Sequence, residues 1–322
     1  MRLIGAGPMA AGLMAAGLMV AGLALLPGAS AAQDAMQDGA RPRLRLDYLE
    51  APVKASGRNP AAIEQDSGGR LGIALVDAQG KLLLGFNREE RFAMCSTFKA
   101  PLAAAVLMGA EKGRYGLEGT LPIRKEDVLD YAPAVKANLK AGRMAIGDLA
   151  KAAVQLSDNS AANMLLPLTG GPEGLTGFIR AHGDEVTRLD RTEPMLNENA
   201  QGDPRDTTSP QAMAILMARL LFQDMPQGAA ATLRGWMDGT TMGNRRIRAG
   251  LPDGWSAGHK MGTCTNAWND VAVLRSPEGQ DYVLAIYLDR PKATGEAAEA
   301  VIAEAASAAI GTLANIHNRP AQ

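Results

Sequence analysis

Histidine, cysteine and net charge are all scarce in this chain, and each scarcity argues against a class of chemistry. Only three histidines occur, His182, His259 and His317, and none is spaced with another histidine, a cysteine or a carboxylate in a metal-binding pattern. The net charge of -1, from 33 basic and 34 acidic residues, gives no electrostatic reason to expect nucleic acid as a partner. We therefore expect no metal, no other cofactor and no nucleic-acid binding.

Charge is also nearly absent from the first 32 residues, where Arg2 is the only charged residue before Asp34. A run rich in alanine, glycine, leucine and methionine extends to Leu26, and small residues at 29–32 suit a signal peptidase. We predict a secretory signal peptide over residues 1–32, cleaved near residue 31 or 32. An uncleaved membrane anchor is the alternative, because the run is long enough to span a bilayer. The cleavage site favours a secreted, periplasmic protein with no stable membrane association.

The chain has two cysteines, Cys95 and Cys264. An even number of cysteines in an exported protein predicts one disulfide. Two buried thiols are the alternative that the sequence leaves open.

The order of the expected elements predicts an α+β fold. Strands are expected at 71–77, 81–86, 256–264, 270–275 and 281–289, and helices at 97–112, 146–155, 160–168, 174–181, 210–222 and 294–314. This order shows no regular alternation of strand and helix, which argues against a doubly wound parallel sheet. We predict one catalytic domain over residues 33–322. An antiparallel sheet lobe is expected from both ends of the chain (41–90 and 240–322), packed on a helical lobe (91–239).

The segment Met94-Cys-Ser-Thr-Phe-Lys-Ala100 places Ser96 three residues before Lys99. On a helix these two side chains share one face. The residues after Lys99 are so apolar that the lysine is expected to be buried, and a desolvated lysine can accept a serine proton. A triad that uses histidine is not indicated, because no Gly-x-Ser-x-Gly segment exists to present its serine. A chance Ser-x-x-Lys is common, so this motif is weak by itself.

Three further segments strengthen the motif: Ser157-Asp158-Asn159, Glu193-x-x-Leu-Asn197 and Lys260-Met261-Gly262-Thr263. In this order and at these separations, the four segments resemble the class A serine β-lactamases, over roughly residues 61–315. Segment 243–248 and the two cysteines resemble the carbapenem-hydrolysing members. Those members join the equivalent cysteines in a disulfide, so the resemblance implies a Cys95–Cys264 bond.

The resemblance implies a chemical role for five side chains. Ser96 would form an acyl-enzyme, and its proton would go to Lys99 or, through a water, to Glu193; both bases stay open. Ser157 would pass a proton to the departing lactam nitrogen. Glu193 and Asn197 would position the water that hydrolyses the acyl-enzyme.

Other residues would hold the substrate or the loop that carries Glu193. The backbone N–H groups of Ser96 and Thr263 would form the oxyanion hole. Substrate contacts are expected from Asn159, Lys260, Thr263 and Arg246. The long polar segment between Arg188 and Thr208 is similar to the family's Ω-loop, with a salt bridge expected between Arg191 and Asp206 across its neck.

Two positions depart from the family pattern. Met261 stands where the family has threonine, and strand alternation turns it the same way as Thr263, toward the expected carboxylate site. Ile123 is expected at the cleft entrance, where the family often has an aromatic residue.

The sequence thus predicts a secreted, monomeric serine β-lactamase that acts on β-lactam antibiotics, with carbapenems within the expected range. A D,D-peptidase-like enzyme is one alternative, against which the Glu193–Asn197 segment argues. A β-lactam-binding protein without turnover is the other, and only Met261 points toward it.

Overall fold

The computed structural model describes residues 58–317 of the chain. The predicted signal peptide, residues 1–32, lies outside the described residues. Residues 58–317 belong to one compact unit. Within them, no helix has both the length and the apolar character needed to cross a membrane.

A five-stranded antiparallel sheet forms the centre of this unit. Its strands, in their order across the sheet, are β2 (Leu82–Phe86), β1 (Arg70–Asp77), β9 (Asp281–Asp289), β8 (Ala267–Arg275) and β7 (Ser256–Cys264). Strands from the two ends of the described chain pair directly, with Ile73 opposite Ile286. The central strands β1 and β9 are nearly continuous apolar runs because both of their faces are covered.

Alternate residues of β1 enter two separate hydrophobic cores on opposite faces of the sheet. Ile73 and Leu75 pack in the core beneath α1 (Pro60–Ser67) and α9 (Glu296–His317), while Ala74 and Val76 face the helical part of the protein. The helical part contains α2 (Lys99–Glu111), α3 (Pro133–Ala137), α4 (Ile146–Gln155), α5 (Asn159–Leu165), α6 (Gly171–Ala181), α7 (Pro210–Arg219) and α8 (Gln227–Asp238). Short strands β3 (Phe92–Ala93) and β6 (Thr207–Thr208) pair, as do β4 (Thr120–Pro122) and β5 (Arg143–Ala145). The predicted α+β class is confirmed.

Helix α2 crosses the centre of the helical part, and every residue from Lys99 to Gly109 is buried. A helix that is apolar on all sides is expected to be enclosed in this way. Pro101 lies in its first turn, where a proline costs no helical hydrogen bond. The N-terminus of α2 therefore carries Lys99 into the interior, beside the sheet.

Several boundaries differ from the prediction. A 3₁₀ turn over Cys95–Phe98 precedes α2, so Ser96 and Lys99 lie on a tighter turn than an α-helix would give. Strand β8 begins at Ala267 and not at Asp270, because residues 267–269 pair with the end of β7. Helix α1 was not predicted. It is short, and Asn59 begins it by accepting a hydrogen bond from the N–H of Ala61.

Candidate active site

The turn that carries Ser96 is held tightly against β7. Gly262 makes this approach possible, because a Cβ atom there would lie 2.8 Å from the carbonyl oxygen of Met94 and 3.2 Å from the Ser96 nitrogen. The side chain of Asn269 donates to the carbonyl of Ala93 at 2.8 Å from the neighbouring strand β8. Ser96 is consequently fixed with only 7% of its surface exposed.

A disulfide joins the same turn to the end of β7. Cys95 is bonded to Cys264, so the predicted pairing is confirmed and the alternative of two free thiols is wrong. Cys95 directly precedes Ser96, and Cys264 directly follows Thr263. The bond therefore ties together the two residues whose backbone N–H groups were predicted to form the oxyanion hole.

Lys99 is the centre of a buried polar cluster. Its Nζ donates to Ser96 Oγ at 3.0 Å, to the carbonyl of Ser157 at 2.9 Å and to Asn159 Oδ1 at 2.5 Å. Glu193 Oε1 lies 2.9 Å from the same nitrogen, and both side chains are fully buried. Burial lowers the pKa of Lys99 below its ordinary value, although the carboxylate of Glu193 raises it. The amine is thus within reach of both Ser96 and Glu193, and its proton is held less firmly than in water.

Glu193 is held by three asparagine contacts. Asn163 on α5 accepts from the backbone N–H of Glu193 at 2.9 Å and donates to its carbonyl at 2.8 Å. Asn197 Nδ2 donates to Glu193 Oε2. Among the described residues, Asn197 Oδ1 is buried and accepts no hydrogen bond. This arrangement presents a carboxylate and an amide oxygen side by side, which suits the positioning of a water molecule.

Sequence reasoning did not identify Asn163. A signal was present, because Asn163 lies four residues after Asn159 on α5 and so shares its face.

Arg191 and Asp206 close the neck of the loop that carries Glu193. Arg191 Nε donates to Asp206 Oδ2 at 2.6 Å. The other carboxylate oxygen of Asp206 accepts from the backbone N–H groups of Asp190 and Arg191, at 2.7 and 2.9 Å. Asp206 is only 1% exposed, so this is a buried anchor for the loop.

Ser157 and Lys260 form a second hydroxyl–lysine pair. Lys260 Nζ donates to Ser157 Oγ at 3.0 Å and is almost fully buried. Burial lowers the pKa of Lys260 well below its ordinary value, and Lys99 lowers it further, while Asp270 raises it. Ser157 has a φ of +55° and Cys95 one of +47°. Backbone strain of this kind is concentrated at functional sites.

Arg246 lies behind the cleft, with only 2% of its surface exposed. Its Nη1 donates to the carbonyls of Gly262 and Asn269, both at 2.8 Å, and its Nη2 donates to Thr263 Oγ1 at 2.6 Å. Glu299 lies 3.1 Å from Nε. The guanidinium therefore reaches the cleft through the exposed hydroxyl of Thr263.

The cleft over Ser96 has a volume of about 290 Å³ and is lined by Ser96, Tyr131, Ser157, Asn159, Asn197, Met242, Met261 and Thr263. The expectation that Ile123 stands at its entrance was wrong. Ile123 is 7% exposed and packs in the helical core, whereas Tyr131 is 45% exposed and supplies the aromatic residue. Ile123 directly follows β4 and is drawn inward by the neighbouring apolar residues.

In the part of the chain that the structure describes, no group of three histidine, cysteine or acidic residues could hold a metal ion. Two of the histidines pair with carboxylates, His182 with Asp224 and His259 with Asp270.

Known proteins are similar to this chain over most of its length. A family profile with the description "Beta-lactamase enzyme family" matches residues 58–313. The chain is 40% identical to Beta-lactamase CTX-M-97 of Escherichia coli over 260 residues, 80% of this chain and 89% of that protein. It is 42% identical to Beta-lactamase CTX-M-8 of Citrobacter amalonaticus over 249 residues, 76% of this chain and 85% of that protein. A solved structure of a class A β-lactamase, that of the last common ancestor of Gram-negative bacteria, gives a TM-score of 0.76 at 44% identity. That match covers 79% of this chain and 97% of the other.

Proposed function

The chain belongs to the class A β-lactamase family, whose members hydrolyse β-lactams, and we propose that it does so as an exported enzyme through an acyl-enzyme on Ser96. The observation that carries the proposal is the position of Lys99, whose Nζ lies 3.0 Å from Ser96 Oγ and 2.9 Å from Glu193 Oε1. This position connects a nucleophile to a carboxylate through one buried amine.

In acylation, Ser96 Oγ attacks the lactam carbonyl carbon as its proton moves to Lys99, or to Glu193 through a water. The lowered pKa of Lys99 supports the amine as acceptor, because a neutral amine can take the proton. The backbone N–H groups of Ser96 and Thr263 hold the oxyanion, and donors of this kind stabilise a transition state by about 3 kcal/mol each.

Ring opening requires a proton on the departing nitrogen. Ser157 is the proposed donor, since its hydroxyl lines the cleft and accepts a hydrogen bond from Lys260 Nζ. Lys260 then returns a proton to Ser157 Oγ or stabilises the alkoxide that is left.

Deacylation uses a water held between Glu193 and Asn197. Glu193 takes one proton from this water as the water oxygen attacks the ester carbonyl. The C–O bond to Ser96 then breaks, and the proton passes back to Ser96 Oγ. The buried setting of Glu193 and its clamp by Asn163 support this role, because a general base must be held in one position. A non-turnover binding protein would have no use for this carboxylate, and a D,D-peptidase-like enzyme would stall as its β-lactam acyl-enzyme.

Substrate binding is proposed for Asn159 and for the group around Thr263. Asn159 lines the cleft and accepts from Lys99, which leaves its amide N–H groups free to face the substrate side chain. Thr263 binds the substrate carboxylate, and Arg246 and Lys260 act behind it.

Three further parts of the proposal concern the range of substrates, the oligomeric state and the location of the protein. Carbapenems are included because the disulfide lies at the positions where carbapenem-hydrolysing members carry one. The mature chain, residues 33–322, is proposed to act as a monomer and a single catalytic domain. It is proposed to reach the periplasm through its signal peptide.

Hydrolysis of a chromogenic cephalosporin and of a carbapenem by the purified mature chain tests the function, with intact-mass detection of any adduct and Ser96→Ala as the control. Steady turnover by the parent and none by the control supports a hydrolase that uses Ser96. A stable adduct without turnover would replace the proposal with a binding protein. Cleavage of a peptide ending in D-alanyl-D-alanine, without β-lactam turnover, would replace it with a D,D-peptidase.

A further inference from the structure

One end of the cleft presents two hydroxyls that each accept a hydrogen bond from a buried basic side chain. Ser157 Oγ accepts from Lys260 Nζ at 3.0 Å, and Thr263 Oγ1 accepts from Arg246 Nη2 at 2.6 Å. A hydroxyl that accepts a hydrogen bond keeps its own hydrogen free to donate, and the positive charge of Arg246 strengthens the donation from Thr263. This end of the cleft is therefore suited to an anion such as a carboxylate.

Two methionines stand beside these hydroxyls. Met261 lies between Lys260 and Thr263 in sequence, and both Met261 and Met242 line the cleft. The hydroxyl of Tyr131 lies 3.4 Å from Met242 Sδ. A thioether has no hydrogen to donate and is a weak acceptor, so neither methionine adds a useful contact to a carboxylate.

The base of the Met261 side chain is held in place by the opposite loop. A Cβ atom on Gly243 would lie 3.0 Å from Met261 Cβ and 3.1 Å from its Cγ, so the loop packs directly on the first carbons of the side chain. Because this base is held, Met261 presents its outer thioether to the cleft in a defined position.

We propose that Met242 and Met261 form a thioether wall that makes the enzyme selective for β-lactams with an aromatic substituent beside the ring carboxylate. The inference rests on the proposed function and names its substrate class. Methionine sulfur makes favourable contacts with aromatic rings. A substituent next to a carboxylate bound by Thr263 reaches this wall, whereas a small substituent leaves it without a partner.

Two cephalosporins test the wall directly. They share one acyl side chain and carry either methyl or phenyl on the ring carbon adjacent to the carboxylate-bearing carbon, so neither substituent is expelled during the reaction. The mature parent enzyme is expected to prefer the phenyl compound by about 2- to 10-fold in kcat/KM, the range that one sulfur–aromatic contact supports. Met261→Thr is expected to remove this preference, mainly through a higher KM for the phenyl compound, because it removes the thioether that contacts the ring.

Met261→Leu is the matched control, since it keeps the apolar bulk and loses only the sulfur. Its preference is expected to fall between those of the parent and Met261→Thr, and a value below that of the threonine variant would contradict the proposal. Met242→Thr, on the other side of the wall, is expected to reduce the preference independently. This second variant keeps the test decisive if Met261→Thr fails to fold.

The experiment gives different results if the thioether wall is wrong and if the proposed function is wrong. If the parent turns over neither cephalosporin, the proposed function is wrong. If the parent hydrolyses both with equal kcat/KM, or if Met261→Thr and Met242→Thr keep the parent's preference, only the thioether wall is wrong.

Discussion

Removing the Cys95–Cys264 disulfide, by changing both cysteines to alanine, is expected to reduce the stability and the activity of the enzyme. The bond joins residues 169 positions apart. In the chain-entropy model, a loop of that length constrains the unfolded chain by about 5 kcal/mol at 25 °C. We expect the free energy of unfolding to fall by an amount of this order.

The expected effect on activity follows from where the bond lies. Cys95 precedes Ser96 and Cys264 follows Thr263, so the bond fixes the distance between the two proposed oxyanion donors. Other ties remain after its removal, because Asn269 still donates to the carbonyl of Ala93. We therefore expect a partial loss of about tenfold in kcat/KM, which corresponds to roughly 1.4 kcal/mol of transition-state stabilisation.

Urea denaturation measures the stability, and hydrolysis of a chromogenic cephalosporin below the unfolding transition measures kcat/KM. Ile302→Ala is the control. It removes a fully buried side chain from the core under α9, and should cost about 2–5 kcal/mol of stability without touching the site. The control is expected to keep full kcat/KM while folded. Full kcat/KM in the folded double-alanine enzyme would refute the positional role and leave the disulfide merely structural.

Two further changes test the positions of the site residues. Gly262→Ala is expected to lower kcat by an order of magnitude or more, because its Cβ would lie 2.8 Å from the Met94 carbonyl and must displace the Ser96 turn. Gly235→Ala, with nothing within 4 Å, should leave kcat unchanged. Asp206→Ala is expected to cost about 3–5 kcal/mol of stability and to slow deacylation, since it removes the buried partner of Arg191. Unfolding curves and single-turnover kinetics check both, and a normal deacylation rate in Asp206→Ala would contradict the role given to the loop neck.

Elements with a strong apolar pattern could be located from the sequence alone. The structure places α4 at Ile146–Gln155, β7 at Ser256–Cys264 and β9 at Asp281–Asp289, the ranges that were predicted. Because these elements are buried, their residues follow an apolar pattern, and the ends of that pattern mark the ends of the elements. Helix α1 was not predicted because its stability depends on packing against α9 and on the Asn59 cap. So short a segment has too few residues to show a clear helical pattern in the sequence.

Site residues were predictable where they form a motif and not where only the fold brings them together. Ser96 and Lys99 share one segment and Glu193 lies in another, and the family resemblance placed them in one site. Asn163 and Tyr131 lie outside the motifs. Ile123 was wrongly expected at the cleft entrance because a count along a loop cannot show which side chain turns inward.

The burial of Arg246 also could not be foreseen. It depends on how closely the loop at Gly243 approaches β7, which is a tertiary contact. From sequence, an arginine near the Lys-x-Gly-Thr strand is expected to meet the carboxylate directly. In the structure its guanidinium donates to Thr263 and to two carbonyls instead.

The most direct test of the proposed chemistry is mass-spectrometric mapping of the adduct that a Glu193→Ala variant forms with a penicillin. Loss of a general base typically slows its step by about 10²–10⁴-fold, so the acyl-enzyme should accumulate. We predict an adduct of intact penicillin mass on the peptide that contains Ser96, and an unmodified parent enzyme once the substrate is consumed. An adduct on another residue, or rapid penicillin turnover by Glu193→Ala without any adduct, would contradict the account.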